Sequence, residues 1–267
     1  MTDQCLVFLK LGGSLITDKT IPLTPCLETI KRISKEIAEA YQDDPDLRIL
    51  IGHGSGSFGH AVAAQYQTQL GEQDSDYWKG FSEVWRAARE LNQIVIESLS
   101  DAGLPVIAFP PSAGVIAHNR DLHSWDILPM QMALDHGLIP VVAGDVIFDQ
   151  AIGGTIFSTE EVFHYLAEEL HPTKILLAGL DQGVYEDPEH PEKIISMISP
   201  TLYNKIEPVL QGAAVADVTG GMLSKVQWML SLVSKVPQLK VHIFSGVEPG
   251  NIQKALSGED LGTMISN

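Results

Sequence analysis

The chain alternates short, mainly apolar runs with longer stretches in which apolar residues recur every three or four positions. The apolar runs have the length of β-strands, and they lie at 5–11, 48–51, 104–109, 138–143, 174–180, 241–244 and 262–265. The periodic stretches predict helices at 24–41, after residue 60, at 78–99, 125–137, 158–170 and from 220 onward. Because strands and helices alternate, the pattern predicts an α/β fold built mainly on parallel strands.

One stretch departs from this alternation. Residues 144–149 and 155–157 form two strand-like arms with Gly153 and Gly154 at the turn, which predicts an antiparallel hairpin. Ser158 and Glu161 follow at the spacing of a capping box, so a helix is expected to begin there. The chain has no repeat of solenoid length, and we interpret residues 1–267 as a single domain.

The first two predicted strands both end in glycine-rich turns. The first strand is followed by Gly-Gly-Ser at 12–14, and the second by Gly-Ser-Gly-Ser-Phe-Gly-His at 54–60. The helix between them makes a βαβ unit, so both turns are expected at one edge of the sheet. Backbone N–H groups in such turns can bind phosphate. No lysine follows at the spacing of a Walker loop, and a tight turn without a ligand is the alternative.

Three lysines lie close to glycine-rich segments. Lys10 ends the first strand, Lys19 lies in the polar loop beyond it, and Lys225 follows Gly220 and Gly221 at a helix start. These positions favour pairing with phosphate groups. The alternatives are that Lys10 extends towards solvent at the sheet edge and that Lys19 is an ordinary surface residue.

The charge balance limits the possible partners. With 34 acidic and 17 basic side chains the net charge is −17, which argues against nucleic acid and against an anionic membrane surface. Two cysteines in a chain without a basic, then apolar leader favour a reduced, cytoplasmic location. Since no run of about 18 apolar residues occurs, no membrane span is expected.

Together these segments resemble the amino-acid kinase superfamily. The resemblance covers nearly the whole chain, from Lys-Leu-Gly-Gly-Ser at 10–14 to Asp-Val-Thr-Gly-Gly-Met-Leu-Ser-Lys at 217–225. Within that superfamily, the segment 54–60 is similar to the signature of the isopentenyl phosphate kinase family, whose glycine loop ends on a substrate-binding histidine. Gly-Asp-Val at 144–146 and the helix start at 158–161 also resemble that family.

The resemblance implies a three-layer αβα sandwich with an open, mainly parallel central sheet. Residues up to about 170 would bind the acceptor, and residues from about 171 to 267 would bind ATP. The implied reaction transfers the γ-phosphoryl group of ATP to isopentenyl phosphate, in isoprenoid biosynthesis. Mg²⁺ is expected on the ATP phosphates without a dedicated protein site, and a homodimer is implied.

The resemblance also assigns roles to residues. The implied catalytic set is Lys10, Lys19, His60, Glu160 and Lys225. The acceptor is expected to contact Gly54, Ser55, Gly59, His60, Ser158 and Thr159, and its apolar tail Gly80, Phe81, Val84 and Phe157. ATP is expected to contact Lys10, Gly12, Gly13, Ser14, Ser55, Gly56, Asp181, Gly183, Tyr185, Gly220, Gly221 and Lys225.

Two positions depart from the family pattern. Glu160 stands where an aspartate commonly aligns the lysines, so Asp145 is a rival for that role. Ser55 stands within a run that is commonly glycine.

Other functions stay open on the sequence. Fosfomycin-type kinases, which use a similar histidine for a phosphonate, and kinases of other small alkyl phosphates are the enzymatic alternatives; all use ATP and differ in the acceptor pocket. A nucleotide-binding regulator or storage protein on this fold is the non-enzymatic alternative, although it would not need all three lysines.

Overall fold

The computed structural model describes residues 5–73, 75–187, 190, 192–203, 207, 221–236 and 238–267. The strands among these residues are β1 Leu6–Leu11, β2 Arg48–His53, β3 Val106–Ala108, β4 Ile116–His118, β5 Asp121–Ser124, β6 Ile139–Ala143, β7 Asp145–Asp149, β8 Gly153–Phe157, β9 Lys174–Gly179, β10 Met197–Ile198, β11 Lys240–Ser245 and β12 Thr263–Ile265. The α-helices are α1 Gly13–Ile16, α2 Leu27–Asp43, α3 Gly56–Tyr66, α4 Tyr77–Asp101, α5 Leu128–Asp135, α6 Thr159–Leu170, α7 Gly221–Lys235 and α8 Asn251–Leu256.

The central sheet has the strand order β10-β12-β11-β9-β1-β2-β6-β3. Its neighbouring strands are parallel except for the pair β11 and β12, so the predicted open, mainly parallel sheet is confirmed. The chain leaves β1 towards β2 on one side, whereas β9 continues to β11 on the other. In such sheets ligands bind beyond the carboxyl ends of the strands where the order reverses. A ligand is therefore expected beyond the carboxyl ends of β1, β2 and β9.

Apolar residues on both faces of the sheet form two core clusters. Val7, Leu9 and Leu11 of β1 pack with helices α2, α4 and α8. Leu6 and Phe8 pack on the opposite face with α5, α6 and α7. Helices therefore cover both faces of the sheet, as the predicted αβα sandwich requires. Since side chains alternate along a strand, Lys10 lies on the Phe8 face, beneath α6 and α7.

The predicted hairpin forms, but its turn is displaced. Strands β7 and β8 are antiparallel, and they join β4 and β5 in a small second sheet. Gly153 and Gly154 belong to β8 and not to the turn. Asp149 accepts hydrogen bonds from the N–H groups of Ala151 and Ile152, which closes the turn before the glycines.

Three further features differ from the sequence-based expectation. Helix α3 begins at Gly56, before residue 60. The short elements α1, β4, β5, β10 and α8 were not predicted, because two to six residues are too few to show a period. Within the described residues, no helix is long and apolar enough to cross a membrane.

Candidate active site

The turns that follow β1 and β2 touch each other through their backbones. A Cβ atom at Gly13 would lie 2.5 Å from the nitrogen of Gly56, and one at Gly54 would lie 2.8 Å from the nitrogen of Gly13. Any side chain at either position would therefore force the turns apart. The predicted meeting of the two glycine turns at one sheet edge is confirmed.

Not every backbone N–H group of the two glycine turns is free to bind a phosphate. The N–H of Gly12 donates to the carbonyl of Ala178 at 2.8 Å, and that of Gly54 donates to the carbonyl of Leu11 at 2.9 Å. These two donors are therefore already used. Within the described residues, the N–H groups of the next positions have no protein acceptor, namely Gly13, Ser14, Ser55 and Gly56. Both turns thus present paired donors suited to phosphate oxygens.

A buried ion pair lies beside these donors. The Lys10 ammonium contacts the carboxylate of Glu160, and their side chains are 9% and 20% exposed. Glu160 reaches this point because α6 packs closely on β2. A Cβ atom at Gly52 would collide with Phe163 and would lie 2.9 Å from the methyl of Thr159, so glycine at this strand position allows the approach.

Lys225 completes the charged group from the neighbouring helix α7. Burial and the nearby ammonium of Lys10 lower the pKa of Lys225, while Glu160 and Asp181 oppose this shift. Burial would raise the pKa of Glu160, but the positive charge of Lys10, with a smaller effect of Lys225, holds it below its usual value. Lys19 is exposed in the loop after α1, and its positive charge also lowers the pKa of Lys225. The arrangement concentrates positive charge around one carboxylate.

The chain is similar over most of its length to proteins of known family. The amino acid kinase family matches residues 6–245. The chain belongs to the amino acid kinase family. An isopentenyl phosphate kinase of Methanocaldococcus jannaschii is 33% identical, with 97% of this chain and 98% of that protein covered.

Solved structures support the same relationship. One chain from the X-ray structures of isopentenyl phosphate kinase superposes on this chain with a TM-score of 0.82 at 28% identity. The comparison covers 98% of this chain and 100% of that chain. A substrate complex of isopentenyl phosphate kinase gives a TM-score of 0.76 at 26% identity, with 97% and 99% covered. The resemblance inferred from the glycine and lysine motifs is confirmed.

In this amino acid kinase, Glu160 and not Asp145 contacts Lys10. Asp145 accepts hydrogen bonds from the backbone N–H groups of Ser112 at 3.1 Å and Val146 at 2.8 Å. Burial raises the pKa of Asp145. Its carboxylate therefore serves the loop that contains Ser112.

The start of α6 has the predicted capping box. Ser158 Oγ accepts from the N–H of Glu161 at 3.2 Å, and the Glu161 carboxylate accepts from the N–H of Ser158 at 2.7 Å. The Thr159 hydroxyl donates to the His53 carbonyl at 2.6 Å and accepts from Gly144 at 3.0 Å. The hydroxyl of Thr159 thus joins the end of β2 to the residue before β7, and its predicted contact with the acceptor stays a prediction.

The residues predicted to line an apolar tail pocket are packed against their own surroundings. Gly80 admits Tyr66, because a Cβ at residue 80 would collide with that ring. Phe81 and Val84 are buried with Tyr77 and Val146 in a small cluster. Phe157 belongs instead to the large cluster beneath α6. The four residues thus lie in two parts of the core, and their contact with an apolar tail stays a prediction.

Phe81 also belongs to an aromatic group at the surface. Its ring lies 5.2 Å from that of Phe148 and 5.4 Å from that of Trp78, measured between centroids. Phe81 therefore joins the buried cluster to the exposed rings of Phe148 and Trp78.

The remaining predicted contacts fall into three groups. Gly59 lies beneath the Ser55 side chain, and Gly183 is buried where a Cβ would lie 2.7 Å from Thr263 Oγ1, so both glycines permit close packing. Asp181 and Tyr185 share one loop, where the Tyr185 hydroxyl lies 3.5 Å from the Asp181 carboxylate. Gly221 begins α7, whereas Gly220 and the side chain of His60 lie outside the described residues.

Sequence reasoning missed Thr17 and Gly52. Gly52 gave no signal because it lies inside an apolar strand, where a glycine is easily taken for the end of the run. Thr17 lies three residues after the first glycine turn, and its hydroxyl contacts both turns.

Proposed function

We propose that the chain transfers the γ-phosphoryl group of ATP to the phosphate of isopentenyl phosphate, which forms isopentenyl diphosphate. The observation that carries the proposal is the direct backbone contact between the turns at Gly13 and Gly56, beside Lys10, Glu160 and Lys225. Two anionic phosphates can meet only where donors and positive charge are concentrated. The isopentenyl phosphate kinase of Methanocaldococcus jannaschii and the solved isopentenyl phosphate kinase substrate complex each match 97% of this chain, which supports the same acceptor.

The mechanism requires positioning and charge neutralisation. The acceptor phosphate is already ionised near neutral pH, so no general base is needed. In the proposal, Gly13 and Ser14 hold the donor phosphates, and Ser55 and Gly56 hold the acceptor phosphate. Lys10 and Lys225 stabilise the charge that spreads over the transferred group, and each such donor contributes about 3–4 kcal/mol to transition-state stabilisation. Glu160 keeps Lys10 aimed at the reacting oxygens.

Mg²⁺ is assigned to the nucleotide in this proposal. Within the described residues, no group of three or more His, Cys, Asp or Glu side chains could hold a metal ion. The Glu160 carboxylate is engaged by Lys10, and that of Asp145 by backbone donors. This donor set suits an ion that ATP phosphates and water coordinate. When bound, Mg²⁺ supplies charge neutralisation on the nucleotide phosphates.

In this proposal the first half binds the acceptor and the second half binds ATP, while the turn at Gly13 and Ser14 reaches the ATP phosphates from the first half. Residues up to about 170 contain the acceptor turn and α6, and residues from about 171 contain the loop of Asp181 and Tyr185 and helix α7. The negative charge of Asp181 acts on the pKa of Lys225, so the two residues lie close enough to interact. Their proximity supports an ATP site in the second half.

A homodimer is also part of the proposal. Strand β3 is an edge of the central sheet, and its residues carry no charge. Ile107 on this strand is 39% exposed, and Trp85 on α4 is 37% exposed. An uncharged, apolar sheet edge usually requires a cover. Sedimentation should give twice the chain mass of 29.1 kDa, and a monomer at assay concentration would contradict the dimer.

The acceptor is tested by a panel at saturating ATP. We expect turnover with isopentenyl phosphate, weaker or comparable turnover with dimethylallyl phosphate, and none with glutamate. Equal or faster turnover with fosfomycin would overturn the isoprenoid assignment. ATP binding without turnover of any acceptor would favour the non-enzymatic alternative, a nucleotide-binding regulator or storage protein on this fold.

His60 provides a second test. We expect His60→Ala to lower kcat/KM for the acceptor by about 100- to 1000-fold, because a hydrogen bond to the acceptor phosphate is lost. The affinity for ATP should stay within about threefold of wild type, since the residue belongs to the acceptor half. His118→Ala, at an exposed position on β4, is the control. A collapse of ATP affinity in His60→Ala would contradict the division into halves.

A further inference from the structure

Thr17 lies between the two glycine turns and contacts both. Its side chain is buried with 2% exposure, and its hydroxyl donates to the Gly13 carbonyl at 2.7 Å. The same oxygen accepts a hydrogen bond from the N–H of Ser57 at 3.0 Å. A threonine hydroxyl has one proton and can accept, so both bonds form at once.

The bond to Ser57 replaces a missing helix cap. Ser55 occupies the N-cap position of α3, but its side chain accepts no capping hydrogen bond. The hydroxyl of Thr17, which ends the short helix α1 after the first turn, caps α3 instead. The side-chain cap of α3 therefore comes from the segment that follows the first glycine turn, and not from the N-cap residue Ser55.

Backbone shape makes this contact tight. Gly56 has φ +48, and a Cβ atom there would collide with Thr17 Oγ1 and lie 2.7 Å from the Gly13 carbonyl oxygen. Ser57 extends the connection, because its carbonyl accepts from Leu23 and its hydroxyl accepts from Thr24, each at 3.4 Å. The loop that contains Lys19 is thus tied to the same helix start.

We propose that Thr17 is a positioning residue whose hydroxyl sets the distance between the donor and acceptor phosphates. This inference rests on the proposed function, because it assigns one phosphate to each turn. Reacting atoms must approach to about 3–3.5 Å, and a displacement of about 1 Å can reduce the rate by about 100-fold. We call the two hydrogen bonds of the Thr17 hydroxyl, to Gly13 and Ser57, the Thr17 lock. Because this lock sets the relative position of the two substrates, its loss should lower turnover more than it weakens the binding of either substrate.

The test compares variants that differ in the hydroxyl. Thr17→Val keeps the shape and removes both hydrogen bonds, whereas Thr17→Ser keeps the hydroxyl. We expect Thr17→Val to lower kcat by about 100-fold, with KM for ATP and for isopentenyl phosphate within about threefold of wild type. Thr17→Ser should recover kcat to within about threefold. If Thr17→Val does not fold, Thr17→Ala removes the same hydroxyl.

A control variant distinguishes the loss of the Thr17 hydrogen bonds from a general loss of stability. Ser34→Ala removes a buried hydroxyl that lies 3.0 Å from Ser98 Oγ on the outer helices, and its kcat should equal that of wild type. Hydrogen exchange at the Ser57 amide should accelerate in Thr17→Val but not in Thr17→Ser, which detects the lock without any turnover.

Three results would overturn the inference. They are an unchanged kcat in Thr17→Val, a Thr17→Ser variant as slow as Thr17→Val, and an unchanged exchange rate at Ser57. Failure of the proposed function has a different signature, because the wild-type chain would then not phosphorylate isopentenyl phosphate. In that case the exchange measurement still decides whether Thr17 holds the two turns together.

Discussion

The ion pair between Lys10 and Glu160 offers a sharp test of how the positive charges at the site are held. Glu160→Gln keeps the size of the side chain and removes its charge. Lys10 and Lys225 then face each other without the carboxylate that now balances them. The substitution should reduce both stability and turnover.

The size of the effect follows from burial. Removing one partner of a buried ion pair costs about 3–5 kcal/mol, because the other charge is left uncompensated. The side chains of Lys10 and Glu160 are 9% and 20% exposed, so water compensates only in part, and we expect about 3 kcal/mol. For a domain of this size such a loss lowers Tm by about 6–12 °C.

Urea unfolding and Tm measurements with and without ATP provide the assay. Glu161→Gln is the matched control, since Glu161 lies in the same helical turn but bonds to the N–H of Ser158. It should cost no more than about 1 kcal/mol. Saturating ATP should raise Tm more in Glu160→Gln than in wild type, because its phosphates replace the missing negative charge. Equal unfolding free energies for the two variants would refute the reasoning.

Three other predictions follow from single groups. Burial and a neighbouring ammonium lower the pKa of Lys225, and bound phosphates should raise it again, so ATP binding should take up protons at alkaline pH below 10.5. Calorimetry in two buffers of different ionisation enthalpy measures this uptake, and identical heats would contradict it. Gly56→Ala should lower kcat by about 100-fold through its collision with Thr17, whereas Gly103→Ala, which has φ +88 and open space, should lose stability but retain kcat. Despite burial, backbone N–H donors hold the pKa of Asp149 below 3.8, so its stabilisation is present above that pH and is lost as pH falls through the lowered value. Asp149→Asn should cost about 2 kcal/mol at pH 7 and flatten the acid side of a stability profile measured by urea unfolding.

The sequence predicted the elements whose pattern repeats. Val7, Leu9 and Leu11 mark a buried strand, and the stripe on α2 marks a long helix, so the βαβ unit and its ligand edge could be derived. Parallel pairing then placed both glycine turns together without knowledge of any contact. Lys10 was found because a charge at the end of an apolar run is unusual, and Lys225 because it follows two glycines at a helix start.

The sequence did not predict features that depend on contacts between distant residues. Nothing near Gly52 shows that Phe163 requires space there, and nothing near Thr17 shows that it caps a helix some 40 residues later. The choice between Glu160 and Asp145 also depended on which carboxylate the fold brings to Lys10. Such contacts arise from packing between elements, and local pattern carries no record of them.

The most direct test of the central claim is a crystal structure with a non-hydrolysable ATP analogue and isopentenyl phosphate bound together. The account predicts that the γ-phosphate accepts hydrogen bonds from the N–H groups of Gly13 and Ser14. It predicts that the acceptor phosphate lies at Ser55 and Gly56, in line with the γ-phosphorus and beside Lys10. Phosphates bound away from these two turns, or too far apart for direct transfer, would contradict it.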